Sequence, residues 1–232
     1  VDSLCALGLG RDDFRIRFFS REFWRIFLGS KTLGLAEESV PAVLSVIDRI
    51  ERRSREESAK DFAALGIGGR KRELIEEFAT LGWPTRPLDD ADAMGRMDAL
   101  RSRIEKQLET LGEKAGFIRL DGTVVRGLAY YTGTTFEAFE VARAARGRQE
   151  LGAEKFVGRA IAGGGRYDDL VEKLAGVNLP AIGFGMGDVV LGDMLRDRGL
   201  LPVGAPGVTV FVVIVEEALR GERSEERRVG KE

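Results

Sequence analysis

Residues 121–140 constrain the fold of this chain more than any other stretch, because they combine strand-forming residues with closely spaced Gly, Tyr and Arg. The flanks of the stretch are rich in Val, Thr, Tyr and Phe, which suit a pleated and half-buried surface. Gly127 and Gly133 would let the backbone or a ligand approach closely. The stretch therefore predicts a strand, a turn and a second strand.

An arginine and two adjacent tyrosines lie at the centre of this stretch. Adjacent side chains on a strand point to opposite faces, so only one of Tyr130 and Tyr131 is expected to line a pocket. Arg126 is costly inside an apolar strand unless it pairs with an anionic group. A sheet with one arginine that extends its head to solvent would explain the same residues. The residues alone leave both interpretations open.

Residues 126–137 read R-G-L-A-Y-Y-T-G-T-T-F-E. This motif resembles the histidine-binding signature of the histidyl-tRNA synthetase family, R-G-L-D-Y-Y-T-G-T-x-F-E, with Ala129 where Asp is usual. Residues 163–168 read G-G-G-R-Y-D and residues 183–187 read G-F-G-M-G, and both continue the resemblance in the same order. Three collinear motifs are specific, whereas a single glycine motif is not.

This resemblance implies an α+β fold: a class II synthetase-like, mostly antiparallel sheet with flanking helices, an all-helical insertion and the first strand of an α/β anticodon-binding domain. It implies a histidine–tRNA ligase that activates L-histidine with ATP to histidyl-adenylate and passes histidine to tRNA(His). We expect the complete protein to be a homodimer. Mg2+ is expected with ATP, but no ligand for it can be named.

The start of the chain resembles the region just behind the second class II motif of the family. We therefore expect a fragment that lacks motifs 1 and 2 and most of the anticodon-binding domain. The family dimerises through motif 1 and binds ATP and the tRNA acceptor end through motif 2. The fragment alone is therefore expected to be inactive.

The resemblance also implies roles for individual residues. Arg126 is expected to stabilise negative charge on the histidine carboxylate, the α-phosphate and the transition state, as a preorganised cation does. Tyr131 and Tyr167 would orient the imidazole, and Tyr130 would be a back-face packing residue or a secondary contact. A buried Tyr167 that closes a core is the alternative. A close wall for ATP is expected from the glycines of the third motif: Gly183, Gly185 and Gly187.

The third motif departs from the family pattern at its end. The family usually continues Gly-x-Glu-Arg, with the Arg on the triphosphate, whereas Val189 and Val190 stand at the last two positions here. The change removes one charge-assisted phosphate contact and leaves Arg126 as the main cationic candidate. It keeps open a non-catalytic, histidine-sensing regulatory subunit of ATP phosphoribosyltransferase on the same core. A plain nucleotide-binding or structural α+β domain would need chance matches at all three motifs.

Composition excludes several classes of protein. The 232 residues contain no His and a single cysteine, Cys5, which argues against His-based catalysis, a structural zinc site and an internal disulfide. The net charge of −2 gives no basic footprint for nucleic acid, although a local patch would be enough to hold tRNA. No apolar run reaches membrane-spanning length. We expect a cytoplasmic protein, with an organellar version as the alternative.

Periodicity places the other elements. An alternating strand is predicted at 13–18, followed by a helix that Ser20 caps. Further helices are predicted from Pro41, around 74–81 and along 97–111, where apolar residues recur at helical spacing. The expected domains are the first half of the core at 1–47, a helical insertion at 48–112, the motif-bearing core at 113–202, the start of an anticodon-binding domain at 203–219 and a non-native tail at 220–232.

Two further groups of residues have competing explanations. Arg15, Arg17 and Arg21 are expected to form a solvated strand edge rather than a binding site. The glycines at 163–165 would suit a phosphate-binding loop before a helix, but no Lys-Ser/Thr pair follows them. We therefore predict a strand at 159–162 that leads into the glycines, and no P-loop.

Overall fold

The computed structural model describes residues 1–127, 130–141 and 158–201. Its helices and strands follow in chain order: α1 (Asp2–Cys5), β1 (Phe14–Ser20), α2 (Arg21–Gly29), α3 (Val40–Ile47), α4 (Arg55–Ala64), α5 (Gly69–Leu81), α6 (Ala91–Glu109), β2 (Ile118–Leu120), β3 (Thr134–Glu140), β4 (Ala160–Tyr167), α7 (Leu170–Ala175), β5 (Ala181–Met186) and α8 (Asp188–Asp197). In these ranges no helix is long and apolar enough to cross a membrane. Ala129, the predicted domain start at 203–219 and the predicted tail lie outside the described residues.

Five strands form one mostly antiparallel sheet in the order β2–β1–β3–β4–β5, which confirms the predicted fold class. The short β2 runs parallel to β1, and the other neighbours are antiparallel. Side chains alternate across a sheet and paired residues share a face. Arg17, Glu137 and Gly163 therefore lie on one face. Phe136 and Gly164 lie on the other face.

Two hydrophobic clusters pack against the sheet. The larger cluster joins Phe19 of β1 to the inward sides of α2 to α6, where Trp24, Phe62, Phe78 and Met97 are almost completely buried. The smaller cluster joins β1, β3 and β4 to α8. Helices α4 to α6 thus share one core with α2 and α3, and the proposed limits of a separate helical insertion stay a prediction.

The helix boundaries follow local sequence signals. Ser20 caps α2, as predicted, by accepting a hydrogen bond of 3.3 Å from the backbone N–H of Glu22. Helix α5 ends where Gly82 takes a left-handed φ of 68°, which glycine adopts without a steric penalty. The helices predicted around 74–81 and along 97–111 are confirmed, although α6 ends slightly before the predicted end.

Two predicted segments take a different form. Residues 121–127 and 130–133 are irregular, so the strand predicted before the turn is wrong and only the strand after it forms. The cause is that a buried side chain, rather than a neighbouring strand, donates hydrogen bonds to carbonyls of this segment. The glycines at 163–165 lie inside β4 instead of after it. Their place within a strand agrees with the rejection of a P-loop.

Candidate active site

Four glycines form a patch without side chains on the sheet face that carries Arg17 and Glu137. Across β4 and β5, Gly163 pairs with Gly185 and Gly165 pairs with Gly183. Because they occupy alternate positions on neighbouring strands, these four residues face the same side. A patch of bare backbone lets a ligand or a side chain lie closer to the sheet than Cβ atoms would allow. We refer to these four residues as the glycine floor.

We call the irregular residues 121–127 and 130–133 the signature segment, and two of its side chains lie directly on the glycine floor. A Cβ atom added at Gly163 would overlap Nη1 of Arg126. A Cβ atom added at Gly165 would lie 2.8 Å from Cδ1 of Tyr131, which is closer than real Cβ contacts. Bare backbone at both glycines therefore admits Arg126 and Tyr131 onto the sheet, and the first and second motifs form one site.

The third motif completes the glycine floor and leaves one position open. A Cβ atom at Gly183 would lie 2.7 Å from the Tyr167 hydroxyl oxygen. At Gly185, by contrast, no atom beyond its chain neighbours lies within 4 Å of the added Cβ among the described residues. A cleft of about 600 Å³ opens at this point. Arg126 lines it, together with the tyrosines of the site.

All three tyrosines of the chain meet at this cleft. The ring centroid of Tyr130 lies 4.6 Å from that of Tyr131 and 5.8 Å from that of Tyr167. The prediction that adjacent tyrosines point to opposite faces is wrong, because neither lies in a strand and both line the cleft. Tyr131 is buried and Tyr130 is partly exposed. Burial, with a contribution from Tyr130, raises the pKa of the Tyr131 hydroxyl.

Arg126 combines an unusual backbone conformation with an ion pair. Its φ of 45° lies in the left-handed region that few non-glycine residues adopt. Such a conformation costs on the order of 1–3 kcal/mol and persists only where the surroundings impose it. The Nη1 atom donates to Oε1 of Glu137 at 2.7 Å, which supplies the expected anionic partner. Burial raises the pKa of Glu137, and the charge of Arg126 opposes that rise.

Arg21 is hydrogen-bonded to the backbone of the signature segment. Its guanidinium donates to the carbonyl oxygen of Val125 at 2.9 Å and to that of Tyr131 at 2.9 Å, and also to the carbonyl of Arg126. The side chain is buried, and burial lowers its pKa, while the charge of Asp48 raises it. The prediction of a solvated arginine is wrong here, because the buried guanidinium donates hydrogen bonds to three backbone carbonyls inside the fold.

Arg17 is also buried and is only 2% exposed. Its guanidinium forms two hydrogen bonds to the carboxylate of Glu51, at 2.7 and 3.1 Å, and one to Asp121 at 2.7 Å. Burial by itself lowers the pKa of Arg17, but these hydrogen bonds outweigh it and the net pKa is raised. The solvated-edge prediction is therefore wrong for Arg17 as well. Its carboxylate partners lie far along the chain, where no local pattern indicates them.

Thr132 and Asp168 join the first two motifs by hydrogen bonds. The Thr132 hydroxyl donates to Oδ2 of Asp168 at 2.8 Å and accepts from the Asp168 backbone N–H at 3.0 Å. The hydrogen bond from Thr132 is the main cause of the lowered pKa of Asp168. The backbone N–H of Thr132 donates to the carbonyl of Arg166 at 3.0 Å. These contacts fix the signature segment against the end of β4.

The end of the third motif lies beside the glycine floor rather than on it. Gly187 precedes α8, and its N–H donates to the Ile161 carbonyl at 2.9 Å. Val189 is 71% exposed, whereas Val190 packs against the smaller cluster. No group of three His, Cys, Asp or Glu side chains in the described ranges is placed to hold a metal ion. Those residues therefore do not provide a protein-only site for Mg2+, which commonly binds through phosphates and one or two carboxylates.

The family model described as histidyl-tRNA synthetase matches residues 4–187, a span that includes all three motifs. The chain belongs to the histidyl-tRNA synthetase family. It is 40% identical over 218 residues to the histidine–tRNA ligase of Opitutus terrae, with 91% of this chain and 46% of that protein covered. It is 34% identical over 220 residues to the chloroplastic/mitochondrial histidine–tRNA ligase of Arabidopsis thaliana, with 93% and 41% covered. The chain spans about half the length of the curated relatives it matches.

A solved structure of this family has the same fold. The histidyl-tRNA synthetase of Nostoc sp. PCC 7120 superposes with a TM-score of 0.59 at 23% identity, over 96% of this chain and 51% of that one. This likeness supports the class II architecture of the sheet and its helices.

Proposed function

We propose that the protein, at the full length of its relatives, is a histidine–tRNA ligase. In the first step a carboxylate oxygen of L-histidine attacks the α-phosphorus of ATP. The bond from that phosphorus to the bridging oxygen breaks, which yields histidyl-adenylate and pyrophosphate. In the second step histidine passes to the 3′ end of tRNA(His), and AMP leaves.

The observation that carries this proposal is the placement of Arg126, Tyr131 and Tyr167 around Gly185, the residue of the glycine floor that no other described residue covers. Arg126 is the only cationic side chain lining this cleft among the described residues. A preorganised cation at such a point stabilises charge that develops on a carboxylate and a phosphate in the transition state. We assign this role to Arg126.

The tyrosines supply recognition of the imidazole. A phenol hydroxyl can donate one hydrogen bond and can also accept one, so Tyr131 and Tyr167 can contact both ring nitrogens of histidine. Tyr130, with its ring against both others, is a secondary contact. Gly183 and Gly185 provide the flat wall for ATP, and Gly187 directly precedes α8.

The remaining partners follow from the same proposal. ATP is a substrate, Mg2+ accompanies its phosphates, and the protein acts as a homodimer on tRNA(His). We place it in the cytoplasm, with an organelle as the alternative because the Arabidopsis relative is named chloroplastic/mitochondrial. Val190, at the position where the family usually has Arg, keeps a regulatory, histidine-sensing subunit as a second candidate, since no cation stands there. The names of the relatives at 40% and 34% identity favour the ligase.

The test uses a completed protein, in which the segments outside the match are supplied by the Opitutus terrae relative. Histidine-dependent exchange of pyrophosphate with ATP measures the first step alone. We expect exchange in the parent, and a loss on the order of 100-fold or more in Arg126→Ala, as for removal of one oxyanion-stabilising donor.

Arg70→Ala is the matched control, because Arg70 is exposed and pairs only with the neighbouring Glu73 among the contacts described. It is expected to retain the parent rate. A parent that binds histidine without any exchange would identify the regulatory subunit instead. Exchange in Arg126→Ala close to that of Arg70→Ala would show that the role given to Arg126 is wrong.

A further inference from the structure

Arg21 spans the signature segment with a single side chain. Its Nη2 donates to the carbonyls of Val125 and Arg126, and its Nη1 donates to the carbonyl of Tyr131. Its Nε also donates to Val125, at 3.2 Å. These acceptors belong to Val125 and Arg126 and to Tyr131, so one rigid group sets the distance between these two parts of the segment.

The backbone of Arg21 adds to this connection. Arg21 is the first residue of α2, directly after β1, and its N–H donates to the Gly133 carbonyl at 3.1 Å. The segment is thus attached at four backbone carbonyls to one buried residue at the start of α2. A planar guanidinium presents its donors in a fixed fork, which a flexible ammonium cannot reproduce.

The conformation of Arg126 shows what the attachment achieves. A left-handed non-glycine residue needs contacts that impose it, and the carbonyl of Arg126 is one of the acceptors of Arg21. Asp48 holds the next residue by accepting a hydrogen bond from the Gly127 N–H at 3.1 Å. We propose that Arg21 is a positioning residue, which sets Arg126 and Tyr131 on the glycine floor without touching the substrate. The catalytic part of this inference rests on the proposed function.

The first test needs no activity, because the three tyrosines of the chain all lie at the site. The chain is labelled with 3-fluorotyrosine, and each ¹⁹F resonance is assigned by a Tyr→Phe variant. We expect Arg21→Gln to move the Tyr131 resonance by more than its line width and Arg21→Lys to move it less. Met97→Ala, which empties a buried site of the larger cluster, controls for lost stability and is expected to leave this resonance in place.

A Tyr131 resonance that stays in place in both Arg21 variants would overturn the proposal. The proposal would also be overturned if Met97→Ala moved the Tyr131 resonance as far as Arg21→Gln does, since the shift would then reflect general destabilisation.

The second test measures pyrophosphate exchange in the completed protein. We expect Arg21→Gln to lower kcat/KM for histidine on the order of 100-fold, because small displacements of reacting groups have effects of that size. KM for ATP should stay within about threefold, and Arg21→Lys should recover part of the loss. An Arg21→Gln rate equal to that of Met97→Ala would overturn the positioning role. A parent without exchange would refute the ligase proposal, while the ¹⁹F spectra would still decide the position of Tyr131.

Discussion

Gly185→Ala is expected to have opposite effects on the stability of the fold and on ligand binding. Among the residues that the structure describes, none beyond its chain neighbours lies within 4 Å of an alanine Cβ at Gly185, and the φ of this residue is outside the left-handed region. The substitution should therefore raise the free energy of unfolding by about 0.4–1 kcal/mol, because alanine has less conformational freedom than glycine in the unfolded chain. The added methyl group nevertheless stands on the open part of the glycine floor.

Gly164→Ala is the matched comparison from the adjacent position of β4. Its Cβ would collide with the Gly183 carbonyl oxygen and lie 2.6 Å from Cβ of Phe184. Backbone cannot move aside as a flexible side chain can, so we expect a loss of about 1–3 kcal/mol, the usual cost of overpacking. Urea unfolding of both variants measures this difference directly.

Binding should show the opposite order. In the completed protein we expect Gly185→Ala to weaken histidine or ATP binding about tenfold, equivalent to about 1.4 kcal/mol. Isothermal titration of each ligand into the stabilised variant measures this loss. If Gly185→Ala were as unstable as Gly164→Ala, or bound both ligands like the parent, the uncovered glycine would not be the place where a ligand lies.

Two more predictions concern the hydrogen-bond networks. Arg17→Met leaves two carboxylates without their buried partner and should cost about 3 kcal/mol in urea unfolding, whereas Arg25→Met, at an exposed pair, should cost less than about 1 kcal/mol. Equal losses would refute the importance of burial. Thr132→Val should raise the pKa of Asp168, now below its usual 3.8, in a carboxyl NMR titration. A lowered carboxyl pKa stabilises the folded state above the unfolded-state pKa, and this stabilisation is lost as the pH falls through the folded-state pKa. The free energy of unfolding of the variant should therefore decrease less on acidification than that of the parent. An unchanged pKa of Asp168 would contradict this prediction.

The elements that local pattern determines could be predicted from the sequence. The alternating residues of β1, the Ser20 cap and the helical spacing in α5 and α6 each report a short-range preference, and the structure confirms them. The collinear motifs also indicated which residues meet, since Tyr131 and Tyr167 lie across the glycine floor. Their roles toward histidine stay predictions.

The irregular signature segment could not be predicted in the same way. Its carbonyls accept hydrogen bonds from Arg21, which is 104 residues away from Val125 in sequence. The neighbouring residues in the sequence do not indicate such a donor, so the β-branched and aromatic residues of the segment predicted a strand that does not form. The same distance explains the error on Arg17, whose partner Asp121 is 104 residues away. Burial of an arginine in an apolar stretch can be predicted only when the distant group that accepts its hydrogen bonds is known.

Because valines stand at the end of the third motif, the site depends more on the distant contacts that position Arg126. Val190 is partly buried against the smaller cluster and Val189 is exposed, and neither valine contributes a charge. Among the described residues that line the cleft, Arg126 is then the only cation available to a phosphate. Its place depends on bare backbone at Gly163 and on the donors of Arg21. A site with one cation tolerates less displacement than a site with two, because no second charge compensates when the first moves.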